Sequence, residues 1–123
     1  MTRLFVFTGS ASAFIAVALG AFAAHMLKER LPADLFATWE VAVRYHLMHA
    51  LALFAVAWLQ VQFPSAPVAG AGWLFVAGTI IFSGSLYLLS LTGARWLGAF
   101  TPAGGLCFLA GWAWLAWCAW KSM

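Results

Sequence analysis

The sequence predicts an all-α integral membrane four-helix bundle, and three observations carry that prediction. Hydrophobic residues fill 66% of the 123 positions and charged residues only 7%, where a soluble domain has about 45–50% and about 25%. Four apolar runs each reach the roughly 20 residues that a spanning helix requires. Short breaks carrying proline, glycine or charge separate them. A soluble chain this short could not bury so much apolar surface, so lipid is the expected solvent and the chain reads as one membrane domain.

The first helix is expected at about residues 4–26. Arg3, the apolar run and Ala21-Phe22-Ala23 imitate a cleavable signal peptide. The run from Leu4 to Ala24 is nevertheless long enough to span, and it is expected to be retained. Gly9, Ala13, Ala16, Gly20 and Ala24 recur at three- and four-residue steps. They share a face on which another helix can approach closely.

The polar connection runs from Leu27 to Asp34. Pro32 suits a first helical position, where its missing N–H costs nothing, so the second helix is expected at about residues 32–60. Asp34 then sits in the first turn, where the helix dipole favours an anion. Leu35, Phe36 and Trp39 suit the interface. At about 100° per residue, Glu40 and Arg44 fall on one face in the favourable order for an ion pair. Asp34, Thr38, Tyr45 and His49 fall on roughly the opposite face, with His46 about 60° from His49. A helix polar on two sides cannot show both to hydrocarbon cheaply. It is expected to be central in the bundle, in an oligomer interface, or at headgroup depth, with Glu40 and Arg44 paired to each other or to polar partners from other helices.

Pro64 and Pro67 mark an uncharged break before a third helix at about residues 69–91. Gly72, Thr79, Ser83, Tyr87 and Ser90 form a loose stripe there, expected to bond backbone carbonyls or to glue helices together. Gly93, Arg95 and Trp96 end it at an interface. Thr101-Pro102 reads as an N-cap and first helical residue for a fourth helix at about residues 102–120. Gly104, Cys107, Gly111 and Cys118 make its small face, and Trp112, Trp114, Trp117 and Trp120 are expected in an aromatic belt. Cys107 and Cys118 lie about 16 Å apart along one helix, too far for a disulfide.

The net charge of +3 is too thin and scattered for a nucleic-acid partner. Lys28, Arg30 and Arg95 gather at one end, with Arg44 near the same edge, against Arg3 and Lys121 at the other. The positive-inside rule then places the polar turns in the cytoplasm and both termini outside it.

Four strings in order carry a resemblance. They are Gly20-Ala21-Phe22-Ala23-Ala24-His25; Ala42-Val43-Arg44-Tyr45-His46-Leu47-Met48-His49-Ala50-Leu51; Phe82-Ser83-Gly84-Ser85-Leu86-Tyr87-Leu88-Leu89; and Arg95-Trp96-Leu97-Gly98 through Thr101-Pro102-Ala103-Gly104-Gly105. Together the chain resembles the small inner-membrane proteins grouped as domain of unknown function 423. The resemblance implies four spans, a bacterial inner membrane and no established activity.

For chemistry, the candidate polar or ligand site is His25, Tyr45, His46 and His49. His25 and His49 on facing helices could hold haem iron, and with His46 a metal. No Cys-x-x-Cys or His-Glu-x-x-His string accompanies them, and no cofactor is expected. Imidazoles beside an acid and a tyrosine could relay ions or protons in an oligomer. No nucleophile triad, phosphate loop or paired carboxylates suggest an enzyme. The remaining expectation is a small accessory membrane component that associates with itself or with a larger complex in the bilayer.

Overall fold

The computed structural model describes residues 1–123 and contains four helices long and apolar enough to cross a membrane. Helix α1 spans Thr2–Leu27, α2 Ala33–Gln62, α3 Ala69–Thr92 and α4 Arg95–Ser122. Two of them are not regular throughout. The last turn of α1, Ala23–Leu27, and the middle of α3, Thr79–Ser83, are wound as π-helix, and α4 opens with a 3₁₀ segment at Arg95–Ala99.

Two capping expectations are corrected. Pro32 precedes the second helix in an extended conformation (ψ 150°), and its carbonyl accepts the Phe36 N–H at 2.9 Å. Pro32 is therefore the N-cap and Ala33 the first helical residue. Thr101 does not cap the fourth helix; it lies inside it, and its hydroxyl bonds the Ser85 hydroxyl at 2.7 Å across to α3. A threonine that can satisfy a buried serine on a neighbouring helix is used as glue instead of as a cap.

Sequential helices pack antiparallel. Thr2 on α1 meets Gln60 on α2 at 3.4 Å, and the Trp39 indole donates to the Leu19 carbonyl at 3.0 Å. One end of the bundle therefore gathers the termini and the Pro64–Pro67 turn, where the Trp114 indole bonds the Pro67 carbonyl at 2.7 Å. The other end gathers the two polar turns, joined by an exposed Asp34–Arg95 ion pair at 2.7 Å.

Glycine and phenylalanine interlock α3 with α4. The Phe108 ring sits over Gly78 and the Phe75 ring over Gly111, so closely that a Cβ at either glycine would fall 2.5 Å from the ring. Gly104 lies against the Phe82 backbone with no room for any side chain. Close approach of this kind gains the dispersion contacts that drive helix association in lipid. Phe5 of α1 fills the matching notch at Gly72 on α3. Helix α2 is the most enclosed: 44% of its most apolar stretch is buried, against 17%, 33% and 22% for α1, α3 and α4. It is central on its His46 and His49 sides, but its Glu40 and Arg44 side is left open.

Candidate functional site

His46 and His49 straddle the midpoint of α2, one turn apart, and their surroundings differ sharply. The Nδ1–H of His49 donates to the Tyr45 carbonyl at 2.9 Å, since a carbonyl can only accept. Its Nε2 must then be the acceptor, and it receives the Trp112 indole N–H at 3.0 Å. The ring also stacks on Phe108, with centroids 3.6 Å apart and planes 7° from parallel. One neutral tautomer of His49 is thereby selected, and neither nitrogen is left for a metal.

His46 has no such lock. Its Nδ1 meets the Tyr87 hydroxyl at 2.9 Å and its Nε2 meets the Ser12 hydroxyl at 3.0 Å. A hydroxyl donates or accepts, so both tautomers satisfy the geometry. In a neutral triad, Ser12, His46 and Tyr87 bring three hydrogen-bonding protons to two hydrogen bonds. With the proton on Nε2, Tyr87 donates to Nδ1 and the Ser12 proton is left over. With the proton on Nδ1, Ser12 donates to Nε2 and the Tyr87 proton is left over. The cluster ties three helices together and always keeps one donor unspent.

Its three residues line a cavity of about 470 Å³ between α1 and α3. Thr8, Ser12, Ile15 and Leu19 form one wall, Thr79, Ile80, Ser83 and Tyr87 the other, and His46 and Leu53 the floor. The tilted Phe5–Trp73 pair, with centroids 5.4 Å apart, stands between the helices toward one end. Toward the other stands the Trp39–Tyr87 pair at 4.7 Å. Ile15 and Ile80 at the rim are exposed, so the cleft opens sideways, where lipid would lie. The π turn of α3 supplies Thr79, Ile80 and Ser83 to one wall; in it the Gly84 N–H reaches back to the Thr79 carbonyl. Such an insertion re-aims side chains and is frequent at functional sites. Ser83, on the same turn, anchors α3 to α2 by donating to the Ala42 carbonyl at 2.8 Å. None of these lining residues carries a formal charge.

The expected ligand set is not assembled as the sequence suggested. His25 is exposed in the π turn that ends α1, whereas the Gly9 level of α1 packs against Ala50, next to His49. From Gly9, His25 lies a further roughly 24 Å along the helix at 1.5 Å per residue, so the two imidazoles cannot share an ion. Tyr45 contributes its carbonyl to His49, while its ring packs on Phe82 with centroids 4.8 Å apart. No group of three or more His, Cys, Asp or Glu side chains is gathered. The Glu40–Arg44 ion pair is likewise not formed: Asp34–Arg95 is the one salt bridge, and both Glu40 and Arg44 are exposed. An (i, i+4) spacing permits a pair, but it does not fix the rotamers that would close one. Ser12 and Trp112 were not singled out from the sequence as site residues. Thr8 and Ser12 do form a hydroxyl pair one turn apart in the apolar run of α1, with Ser10 on another face, and that was the available signal.

Four membrane-spanning helices around a polar centre at mid-span define a polytopic helical membrane protein. Within that class the chain belongs to the family described as protein of unknown function (DUF423), whose model matches residues 19–105. A UPF0382 membrane protein of Bacillus subtilis is 45% identical over 111 residues, 89% of this chain and 90% of that protein. A UPF0382 membrane protein of Staphylococcus haemolyticus is 44% identical over 110 residues, 89% of each chain. One of Staphylococcus saprophyticus is 42% identical over 110 residues, 89% of this chain and 91% of that protein. No solved structure matches. The matched relatives are named as membrane proteins, in agreement with the resemblance and the membrane class read from the sequence.

Proposed function

We propose that this protein is a small accessory component of the membrane that binds a neutral, bilayer-dissolved molecule in the cleft at His46. The bound molecule has an apolar body and an oxygen acceptor, such as a ketone or ester carbonyl, at its buried end. The observation that carries this reading is the Ser12–His46–Tyr87 cluster, whose three hydrogen-bonding protons exceed its two hydrogen bonds, on the wall of an uncharged and mostly apolar cavity. A binding pocket of this kind is mostly apolar with a few convergent polar groups. An acyl chain alone would fill the volume but leave the donor unused, and an unused donor in hydrocarbon is unfavourable.

Proton or ion transport is less well supported. The cluster runs across three helices instead of along the membrane normal, and aromatic pairs stand toward both ends of the cavity. Lys28, Arg30 and Arg95 at one end, against Arg3 and Lys121 at the other, favour an orientation with the polar turns in the cytoplasm and both termini outside. A bacterial plasma membrane is the proposed location.

The test is photolabelling of the full chain in nanodiscs with a diazirine-bearing long-chain methyl ketone. Label is expected on peptides containing Ile15 and Ile80, displaced by 2-tridecanone but not by tridecane. The triple variant S12A/H46L/Y87F removes every donor of the cluster and is expected to weaken displacement about tenfold, the value of one hydrogen bond of about 1.4 kcal/mol. H46Q keeps a donor and an acceptor and is expected to bind. Equal displacement by ketone and alkane would overturn the reading.

A further inference from the structure

We propose that Glu40 and Arg44 lie at an interface between two copies of this chain, where Arg44 of each copy meets Glu40 of the other. The inference is independent of the ligand in the cleft and rests on the opposite side of α2. Both residues are exposed, one turn apart on one face, and neither makes an ion pair within its own chain. With Gly20 of α1 and Val43 they outline a shallow recess. A Cβ at Gly20 would already press the Val43 side chain at 3.3 Å, so glycine keeps the recess open.

Depth makes the exposure significant. The midpoint of α2 falls between Leu47 and Met48. Arg44 starts roughly 5 Å from it and Glu40 roughly 11 Å, at 1.5 Å per residue. With α2 centred in a hydrocarbon layer of half-thickness about 15 Å, both side chains are rooted inside that layer. Ionised groups at such depth face a protein partner or water, not lipid tails. Side chains on a helix lean toward its N-terminus, which here is the nearer membrane face. Leaning back one turn brings the Arg44 guanidinium to the level of Glu40.

Charge complementarity selects a second copy as the occupant. The face carries one charge of each sign, so it is net neutral and self-complementary. In a two-fold dimer about the membrane normal the two α2 helices run parallel, and equal levels face each other. Arg44 of one copy then reaches Glu40 of the other, and the symmetry that closes the dimer repeats the pair. An anionic lipid would meet repulsion from Glu40.

The experiment is subunit counting by single-molecule photobleaching of the full chain in vesicles of phosphatidylglycerol and phosphatidylcholine. Wild type is expected as dimers. E40R and R44E are each expected to lower the association constant at least tenfold, and E40R/R44E to restore it. E40Q and R44Q, which avoid reversed charges during folding, are expected to weaken association as well. The proposal is overturned by a monomeric wild type, by dimers indifferent to these substitutions, or by a double reversal that fails to restore them. It is also overturned if R44Q abolishes lipid retention while the subunit count stays at two, which would make the face a headgroup site.

Discussion

The Trp112 indole N–H donates to Nε2 of His49 at 3.0 Å, and with the Tyr45 carbonyl on Nδ1 it assigns that histidine to structure. Trp112→Phe keeps most of the ring contact with Phe75, whose centroid is 4.8 Å away, but leaves Nε2 without a donor. The expected loss is about 1–2 kcal/mol, measured as a shift in the unfolding midpoint in mixed micelles. The ¹⁵N spectrum of wild type is expected to show a protonated Nδ1 and an unprotonated Nε2 at His49.

The α3–α4 contact predicts a contrast between two glycines. A side chain at Gly104 has no room, since even Phe82 Cβ would lie 2.7 Å from the new atom and the Phe82 backbone nearer still or alongside it, whereas at Gly84 nothing lies within 4 Å. Gly104→Ala is expected to destabilise by about 1–3 kcal/mol, the range for overpacking. Gly84→Ala is expected to be neutral or slightly stabilising, because alanine is the better helix former. Thermal unfolding of the two variants in parallel checks the pair.

The Asp34–Arg95 bridge is short, at 2.7 Å, but its side chains are 57% and 72% exposed. Exposed pairs are screened by water and salt. Arg95→Gln is therefore expected to leave the unfolding temperature unchanged within measurement, at low and high salt alike. A clear drop would show that the two polar turns are held together more tightly than this geometry implies.

Much of the architecture was legible because length and hydropathy are local properties. The four spans and the short breaks follow from them, and the central place of the second helix on its histidine faces follows from the polar residues it carries. The glue role of Ser83 was legible too, because a hydroxyl in lipid must find an acceptor. What escaped the sequence is inter-helix register. Periodicity places His49 on a face of α2 but does not say that Trp112, sixty-three positions later, lies opposite. Nor does it say that His25 ends far from that level. The π turns escaped for a related reason: their insertion is selected by packing, and Thr79–Ser83 has no local mark of its own. Glu40 and Arg44 fit a helical pair by spacing, yet they remain apart, because spacing alone does not fix the rotamers that would bring them together.

The two mid-span histidines have different duties, His49 locked between two partners and His46 at the cleft. The most direct measurement is the ¹⁵N spectrum of histidine-labelled protein in nanodiscs as 2-tridecanone is added. Saturable movement of the His46 nitrogens, with the His49 signals fixed, is the predicted result. Signals of His46 that stay still while the ketone enters the bilayer, or of His49 that move with them, would contradict it.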